Sequence, residues 1–388
     1  MVRIIEDMRI VYIIKYIAQL GGLDRVMSYK MNWLAQHGHE VHLITYEQGN
    51  HPISFPLDER IEHVDVNVRF FTRHGGGLVK RVRQFFQMRK TFRNRVYKKV
   101  AEIDPDVIVT LTDSYTLLDI LQKIPGRALR VIESHVERNG FQKRNDFKGR
   151  LGLYQMAWLY DRYITRQIKR ADCLVALTQH DADAWPEMKS VKVIPNPLSY
   201  MPDRRASLTN KRIISVGRLE PQKGYDILID VWKEVSMKHP DWSLYIYGDG
   251  TWRNSLEQKS EGCGVSNSMH WEHATPEIFD RYLESSIYVM SSRYEGFGLV
   301  LTEAMSCGVP CVSFDCPYGP SDIIKDGVDG LLVPLEDIDA MADAICRLIE
   351  DESLRKKMGE NALSNVRRYA PESIMQEWVK LFENRRCE

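Results

Sequence analysis

Two carboxylates eight positions apart, in Glu295-Gly-Phe-Gly-Leu-Val-Leu-Thr-Glu303, are the residues of this sequence best placed to do chemistry. The segment runs from Ser291 to Pro310 and reads as a strand feeding a glycine-containing loop that opens a helix. Backbone N–H groups around Phe297, Gly298, Leu299 and Val300 would point outward at that helix start, which makes a seat for phosphate. Glu295 precedes the helix and Glu303 lies one to two turns into it. The pair could bracket a bound diphosphate and accept hydrogen bonds from hydroxyls on either side. In a nucleotide sugar those hydroxyls would belong to the sugar and the ribose. The alternative is a surface Glu and a helix Glu with no ligand.

A second loop, Val216-Gly217-Arg218-Leu219-Glu220-Pro221-Gln222-Lys223-Gly224, follows another strand pattern and brings Arg218 and Lys223 within reach of one another. Two cations beside a phosphate-binding helix start would neutralise a diphosphate as charge develops on it; alone, they would be ordinary solvated surface groups. Tyr247-Gly248-Asp249-Gly250 is half a dinucleotide fingerprint, without the third glycine or the later acid that binding of a nicotinamide dinucleotide requires. Its glycines instead suggest close approach at a cleft. His135, just past a strand in Ile132-Glu-Ser-His135, could hydrogen-bond a substrate hydroxyl or leaving-group oxygen, or be structural. Asp104-Pro-Asp106 has the spacing of a metal pair but precedes a strand, away from its C-terminal end, and reads as a turn. No His-x-x-x-His pair occurs, and no metal is expected.

These groups need a scaffold, and the chain supplies one twice. Short β-branched runs alternate with amphipathic segments throughout, the pattern of parallel sheets covered by helices. Strands are expected at 9–14, 41–45, 107–111, 129–132, 173–177 and 191–194, with a Gly21-Gly22 turn leading into a helix over 24–36 and another helix near 115–123. Residues 198–210 lack periodicity and read as a linker. The pattern restarts with strands at 212–216, 243–247, 287–290 and 311–314 and helices near 223–237, 252–260, 298–307, 337–350 and 352–367. A last helix spans 371–384. This divides the chain into residues 1–200 and 208–370, with the C-terminal segment 371–388 packing back on the first domain.

A length of 388 residues suits two such domains. The net charge is zero, yet residues 1–200 hold 31 Lys+Arg against 22 Asp+Glu, and the remainder holds 22 against 31. That asymmetry can steer an anionic partner toward one half. Residues 80–99 carry nine basic residues and no acid, interleaved with Phe85, Phe86, Met88, Phe92, Val96 and Tyr97. Such a helix can rest on anionic lipid, or it can pack on its own domain with a charged outer face. No nucleic-acid reading motif accompanies it. The seven cysteines fit neither zinc nor redox spacing and read as small, reduced, buried residues. With acids near the N-terminus and no apolar run of membrane-spanning length, the protein is expected in the cytoplasm, peripheral on the inner face of the membrane if it meets lipid at all.

Taken together, these segments resemble the retaining, two-domain glycosyltransferases of family 4, which adopt the GT-B fold. The resemblance covers nearly the whole chain and is most specific at 217–224, 248–250 and 291–332. It implies an α/β protein of two Rossmann-like domains facing each other across a cleft. By this resemblance Glu295 contacts the donor sugar and Glu303 the ribose. Arg218 and Lys223, beside Gly217, bind the diphosphate. Gly22 belongs to the family's N-terminal glycine loop, and His135 is its histidine near the donor sugar. Tyr318-Gly-Pro-Ser-Asp-Ile-Ile324 with Gly327 and Gly330 looks like the subgroup that builds bacterial surface polysaccharides and lipid-linked oligosaccharides. The implied reaction moves a hexose or N-acetylhexosamine, with retention and without a metal or other cofactor, from a UDP-sugar to a lipid-linked or polysaccharide-precursor saccharide. Alternatives are a glucosyl- or mannosyltransferase acting on a soluble acceptor and a non-catalytic nucleotide- or saccharide-binding protein.

Overall fold

The computed structural model describes residues 7–19, 21–70, 77–135 and 151–384. The chain divides into unit 1, Met1–Ser199 with Glu372–Glu388, and unit 2, Tyr200–Pro371.

Unit 1 runs β1 (Arg9–Ile14), α1 (Gly22–Gln36), β2 (Glu40–Thr45), β3 (Glu62–Asp65), α2 (Leu78–Ile103), β4 (Val107–Leu111), α3 (Leu118–Leu121), β5 (Leu129–Ser134), α4 (Leu151–Ile168), β6 (Cys173–Ala176), α5 (Gln179–Asp183) and β7 (Val191–Val193). Its seven strands are all parallel, in the order β3-β2-β1-β4-β5-β6-β7. The central strands are buried on both faces, which is why they read as continuous apolar runs rather than alternating ones. One face packs Tyr12, Val109 and Val131 with Met27, Met31 and Leu34 of α1; the other packs Val11 and Ile13 with Phe92, Val96 and Val100 of α2.

Unit 2 runs β8 (Arg212–Val216), α6 (Tyr225–Lys238), β9 (Ser243–Tyr247), α7 (Arg253–Gly262), β10 (Met269–Glu272), α8 (Ile278–Leu283), β11 (Ile287–Met290), α9 (Leu299–Ser306), β12 (Cys311–Phe314), α10 (Pro320–Ile323), β13 (Gly330–Val333), α11 (Ile338–Glu350) and α12 (Glu352–Asn365). Its six parallel strands are ordered β10-β9-β8-β11-β12-β13. The last helix, α13 (Pro371–Asn384), returns to unit 1, where Ile374, Met375, Trp378 and Phe382 join the α1 side of the core.

Several expectations need correction. The first helix begins at Gly22 rather than 24, with Gly21 in extended backbone as its cap; glycine serves there without a capping side chain. The helix expected near 115–123 is a 3-10 segment over Thr112–Leu117 followed by the single turn of α3. Ser114 leaves helical geometry in that segment, and its hydroxyl pairs with that of Tyr46 at 2.9 Å. Strands β3, β10 and β13 were not expected; β3 (Glu62–Asp65) and β10 (Met269–Glu272) are edge strands carrying acids and histidine instead of a β-branched apolar run. Cys263, Cys307, Cys311, Cys316 and Cys346 carry free thiols. No helix among the described residues is long and apolar enough to cross a membrane.

Candidate functional site

In unit 2 the chain steps from β8 to β9 and β10 on one side, then returns to β11 on the other. The loops leaving β8 and β11 therefore diverge, and such a switch point at the carboxyl ends of parallel strands is where an open sheet makes room for a ligand. The loop after β8 carries Gly217–Gly224, and the loop after β11 carries Ser291–Gly298.

Backbone contacts stitch the two loops together. Gly224 has φ +63°, and a Cβ there would lie 2.0 Å from the carbonyl oxygen of Ser291. The Ser291 hydroxyl donates to the carbonyl of Lys223 at 2.8 Å. The Arg293 N–H donates to the Gln222 carbonyl at 2.8 Å, and the Gln222 amide donates to the Tyr294 carbonyl at 2.9 Å. Arg293 adds a fork onto Asp226 at 2.8 and 2.9 Å. Burial opposes the charge on Asp226, yet Arg293 holds that carboxyl below its usual range.

This stitching sets Lys223 Nζ 2.6 Å from Glu295 Oε1, across 72 residues of sequence, with both side chains largely buried. Gly217 makes room for the lysine: a Cβ there would meet Lys223 Cε at 3.1 Å and Cδ at 3.2 Å. Arg218 is exposed, and its guanidinium reaches Gln222 Oε1 at 3.2 Å. Burial and then the nearby Glu295 charge push the Cys316 thiol up, with Lys223 acting the other way.

Gly298, at φ +95°, holds the cap position before α9 and offers no side-chain cap. The Leu301 N–H folds back onto the Gly298 carbonyl at 2.9 Å. Leu299 and Val300 open the helix, where amides have no partner within the helix itself. Phe297 is buried with its ring edge-on to Tyr369 at 5.4 Å, so it has a backbone rather than a side chain to offer. Glu303 is buried in α9, and its Oε2 accepts from the Tyr282 hydroxyl of α8 at 3.1 Å. Arg218, Lys223, Glu295, the α9 start and Glu303 thus belong to one unit, on the two loops of one switch point and the helix that the second loop opens.

The glycines of Tyr247-Gly248-Asp249-Gly250 do something other than admit a ligand. A Cβ at Gly248 would lie 1.9 Å from the Gly217 carbonyl oxygen, and one at Gly250 would lie 2.4 Å from that of Leu219. They let the β9 loop press backbone to backbone on the Arg218 loop. Asp104 and Asp106 likewise have a structural task. Both bind Arg9 at the start of β1, Asp106 accepting its N–H at 2.9 Å.

Gly22 and His135 lie in unit 1. Gly22 is the exposed first residue of α1. His135 follows β5, so both sit at the C-terminal edge of the same sheet with β4 between their strands. His135 Nε2 is 2.9 Å from Glu133 Oε2. Tyr282, Gln222 and Arg293 escaped sequence reasoning, since a tyrosine in a six-residue helix and polar loop residues carry no pattern of their own.

Two family descriptions match this chain. Residues 20–199 match the family described as Glycosyltransferase Family 4, and residues 200–364 match Glycosyl transferases group 1. An uncharacterized glycosyltransferase of Haemophilus influenzae is 28% identical, over 95% of this chain and 98% of its own. The amylovoran biosynthesis glycosyltransferase AmsD of Erwinia amylovora is also 28% identical, with the same coverage. Among solved structures, TarM of S. aureus superposes with a TM-score of 0.76 at 17% identity, covering 97% of this chain and 98% or more of its own. Fold and families together make this chain a GT-B glycosyltransferase, an enzyme that transfers sugars.

Proposed function

We propose that this enzyme moves a hexose or N-acetylhexosamine from a UDP-sugar to a lipid-linked or polysaccharide-precursor saccharide, retaining the anomeric configuration and needing no divalent metal. The observation that carries this reading is the Lys223–Glu295 pair beside the open start of α9. An entering diphosphate competes with Glu295 for the Lys223 ammonium. Once Lys223 and Arg218 turn to the phosphates, Glu295 is free to accept hydrogen bonds from hydroxyls of the transferred sugar. Glu303, steadied by Tyr282, receives the ribose. The leaving UDP gains negative charge as the glycosidic bond breaks. Two cations and the Leu299 and Val300 amides then stabilise it without reorganising. The acceptor hydroxyl attacks from the face that the diphosphate is leaving. Gly22 and His135 are the residues of unit 1 that this reading assigns to saccharide binding.

The UDP assignment is supported by solved relatives of the same fold: TarM is described in complex with UDP, and Anabaena HepE, at TM-score 0.73, with UDP and glucose. The acceptor class is supported by AmsD and by a Campylobacter jejuni enzyme named for N-acetylgalactosamine transfer to an undecaprenol-linked saccharide, 24% identical over 93% of this chain and 94% of its own. Contact with anionic lipid would fall to α2, at the cytoplasmic face of the membrane, and nucleic acid is not a partner in this reading.

The test is a panel of UDP-, GDP- and ADP-sugars with EDTA present and nucleotide release as the readout. Selective release from one UDP-sugar is expected, falling about a hundredfold or more in Glu295→Ala and Lys223→Ala, as loss of a preorganised electrostatic partner does. Preference for a GDP- or ADP-sugar, or abolition by EDTA, would contradict the donor or the metal-free chemistry respectively.

A further inference from the structure

Unit 1 buries a line of charge behind His135, in which Lys30 and Glu133 have no role in the reading above. Lys30, in the middle of α1, is 1% exposed, and its ammonium donates to Glu133 Oε1 at 2.7 Å. Glu133, in β5, is 0% exposed, and its second oxygen holds His135 Nε2 at 2.9 Å. Trp378 of α13 closes the other end, its ring centroid 3.4 Å from the Lys30 ammonium. Burial lowers the Lys30 pKa to about 8 against the pull of Glu133. Burial opposes the charge on Glu133 too, yet Lys30 and then His135 hold that carboxyl below its usual range.

Stability alone does not account for the arrangement, because a buried ion pair can often be replaced by apolar groups at no loss. What Glu133 gains from Lys30 is the ability to stay ionised where it is, and an ionised carboxylate only accepts hydrogen bonds. Nε2 of His135 must therefore carry its proton and donate. A neutral imidazole held that way has its lone pair on Nδ1, which has no hydrogen-bond partner among the described residues. Glu133 and His135 are two residues apart at the strand's end, so they fall on the same side of it. The carboxylate can thus reach the imidazole with no intervening turn.

We propose that Lys30 and Glu133 are positioning residues that lock His135 in the Nε2–H tautomer, leaving Nδ1 to accept a hydrogen bond from a hydroxyl of the bound saccharide, with Trp378 clamping the ammonium. The proposal rests on the reading of His135 as a saccharide contact.

The full-length enzyme is compared with three variants: His135→Ala, Glu133→Gln, and the double variant Lys30→Met/Glu133→Gln, which removes both charges and so keeps the interior neutral. One readout is the ring-nitrogen resonances of His135 in protein labelled at histidine, which needs no turnover. The other is UDP release from UDP-glucose, UDP-galactose and their N-acetylhexosamine counterparts. The wild type is expected to show a single Nε2–H tautomer. The double variant should fold, mix tautomers and bind UDP as the wild type does, with kcat reduced about 10- to 100-fold, the usual effect of losing an orienting partner. A double variant with an unchanged tautomer and wild-type kcat, beside an impaired His135→Ala, would overturn the relay alone. Wild-type kcat in His135→Ala would overturn both the relay and the role of His135. If Glu133→Gln fails to fold, the double variant alone decides.

Discussion

Gly217 and Gly224 act on the same lysine by different means, and substitution separates them. A methyl at Gly217 would meet the far stem of Lys223 at 3.1–3.2 Å and the Tyr225 hydroxyl at 2.9 Å. The flexible lysine should yield, leaving its ammonium misplaced, while the buried Tyr225 must shift slightly. Gly217→Ala is therefore expected to weaken UDP binding by about tenfold or more, the worth of one charge-assisted hydrogen bond, with a smaller loss of stability than Gly224→Ala. Gly224→Ala sets a Cβ 2.0 Å from a backbone carbonyl at a φ of +63°. It should cost stability first, on the order of 2 kcal/mol or more by denaturant unfolding. Equal UDP affinity in Gly217→Ala would mean that Lys223 does not meet the nucleotide. The glycines, cations and carboxylates of these loops were legible because phosphate chemistry requires those types close to a helix start. Lys30 was missed, although it interrupts the apolar stripe of Val26, Met27, Met31 and Leu34 on α1. A lysine at a core position of a helix signals a buried partner, but only the fold supplies Glu133.

At the scale of an element, helix α2 packs on its own domain along one half and exposes apolar and basic side chains along the other. Phe92 and Val96 are fully buried, Arg89 pairs with Asp119, and Arg95 donates to the Val66 carbonyl. This half packs on its own domain. Toward its start, Val79 is 83% and Phe86 64% exposed, with Val82 also outward among Lys80, Arg81 and Arg83. An apolar stripe edged with cations can insert into a headgroup layer. Reversing Lys80, Arg81, Arg83 and Lys90 to Glu is expected to cut affinity for phosphatidylglycerol vesicles at least about tenfold, since each basic residue near an anionic surface contributes about 1 kcal/mol. Vesicle sedimentation checks this, and unchanged binding would remove α2 from any membrane role. Composition alone could not divide the helix, because the dividing residues are set by neighbours just after β3 and on α3.

For the whole molecule, long strands and helices were legible from periodicity. The return of the last helix to the first domain was legible too, but not the core residues that meet Trp378 and Phe382, because only the fold brings α1 beside them. Each unit ties its layers with a carboxylate held below its usual range: Glu133 beside Lys30 in unit 1, and Asp226 beside Arg293 in unit 2. Both pKa values are lower folded than unfolded. Their contribution is therefore complete above the ordinary values of 4.5 and 3.8 and is lost as pH falls through the folded ones. Unfolding midpoints in urea should accordingly hold steady from pH 7 to about 5 and drop steeply below about 4. A midpoint independent of pH down to 3 would mean that neither pair supports its unit.

The most direct test of the account is calorimetric titration of UDP into the wild type and into Lys223→Ala. Saturable one-to-one binding that weakens by at least about tenfold in the variant is the predicted result, as expected when one charge-assisted phosphate contact is removed. Equal binding by both proteins, or none by the wild type, would contradict a nucleotide-sugar site built on Lys223 and Glu295.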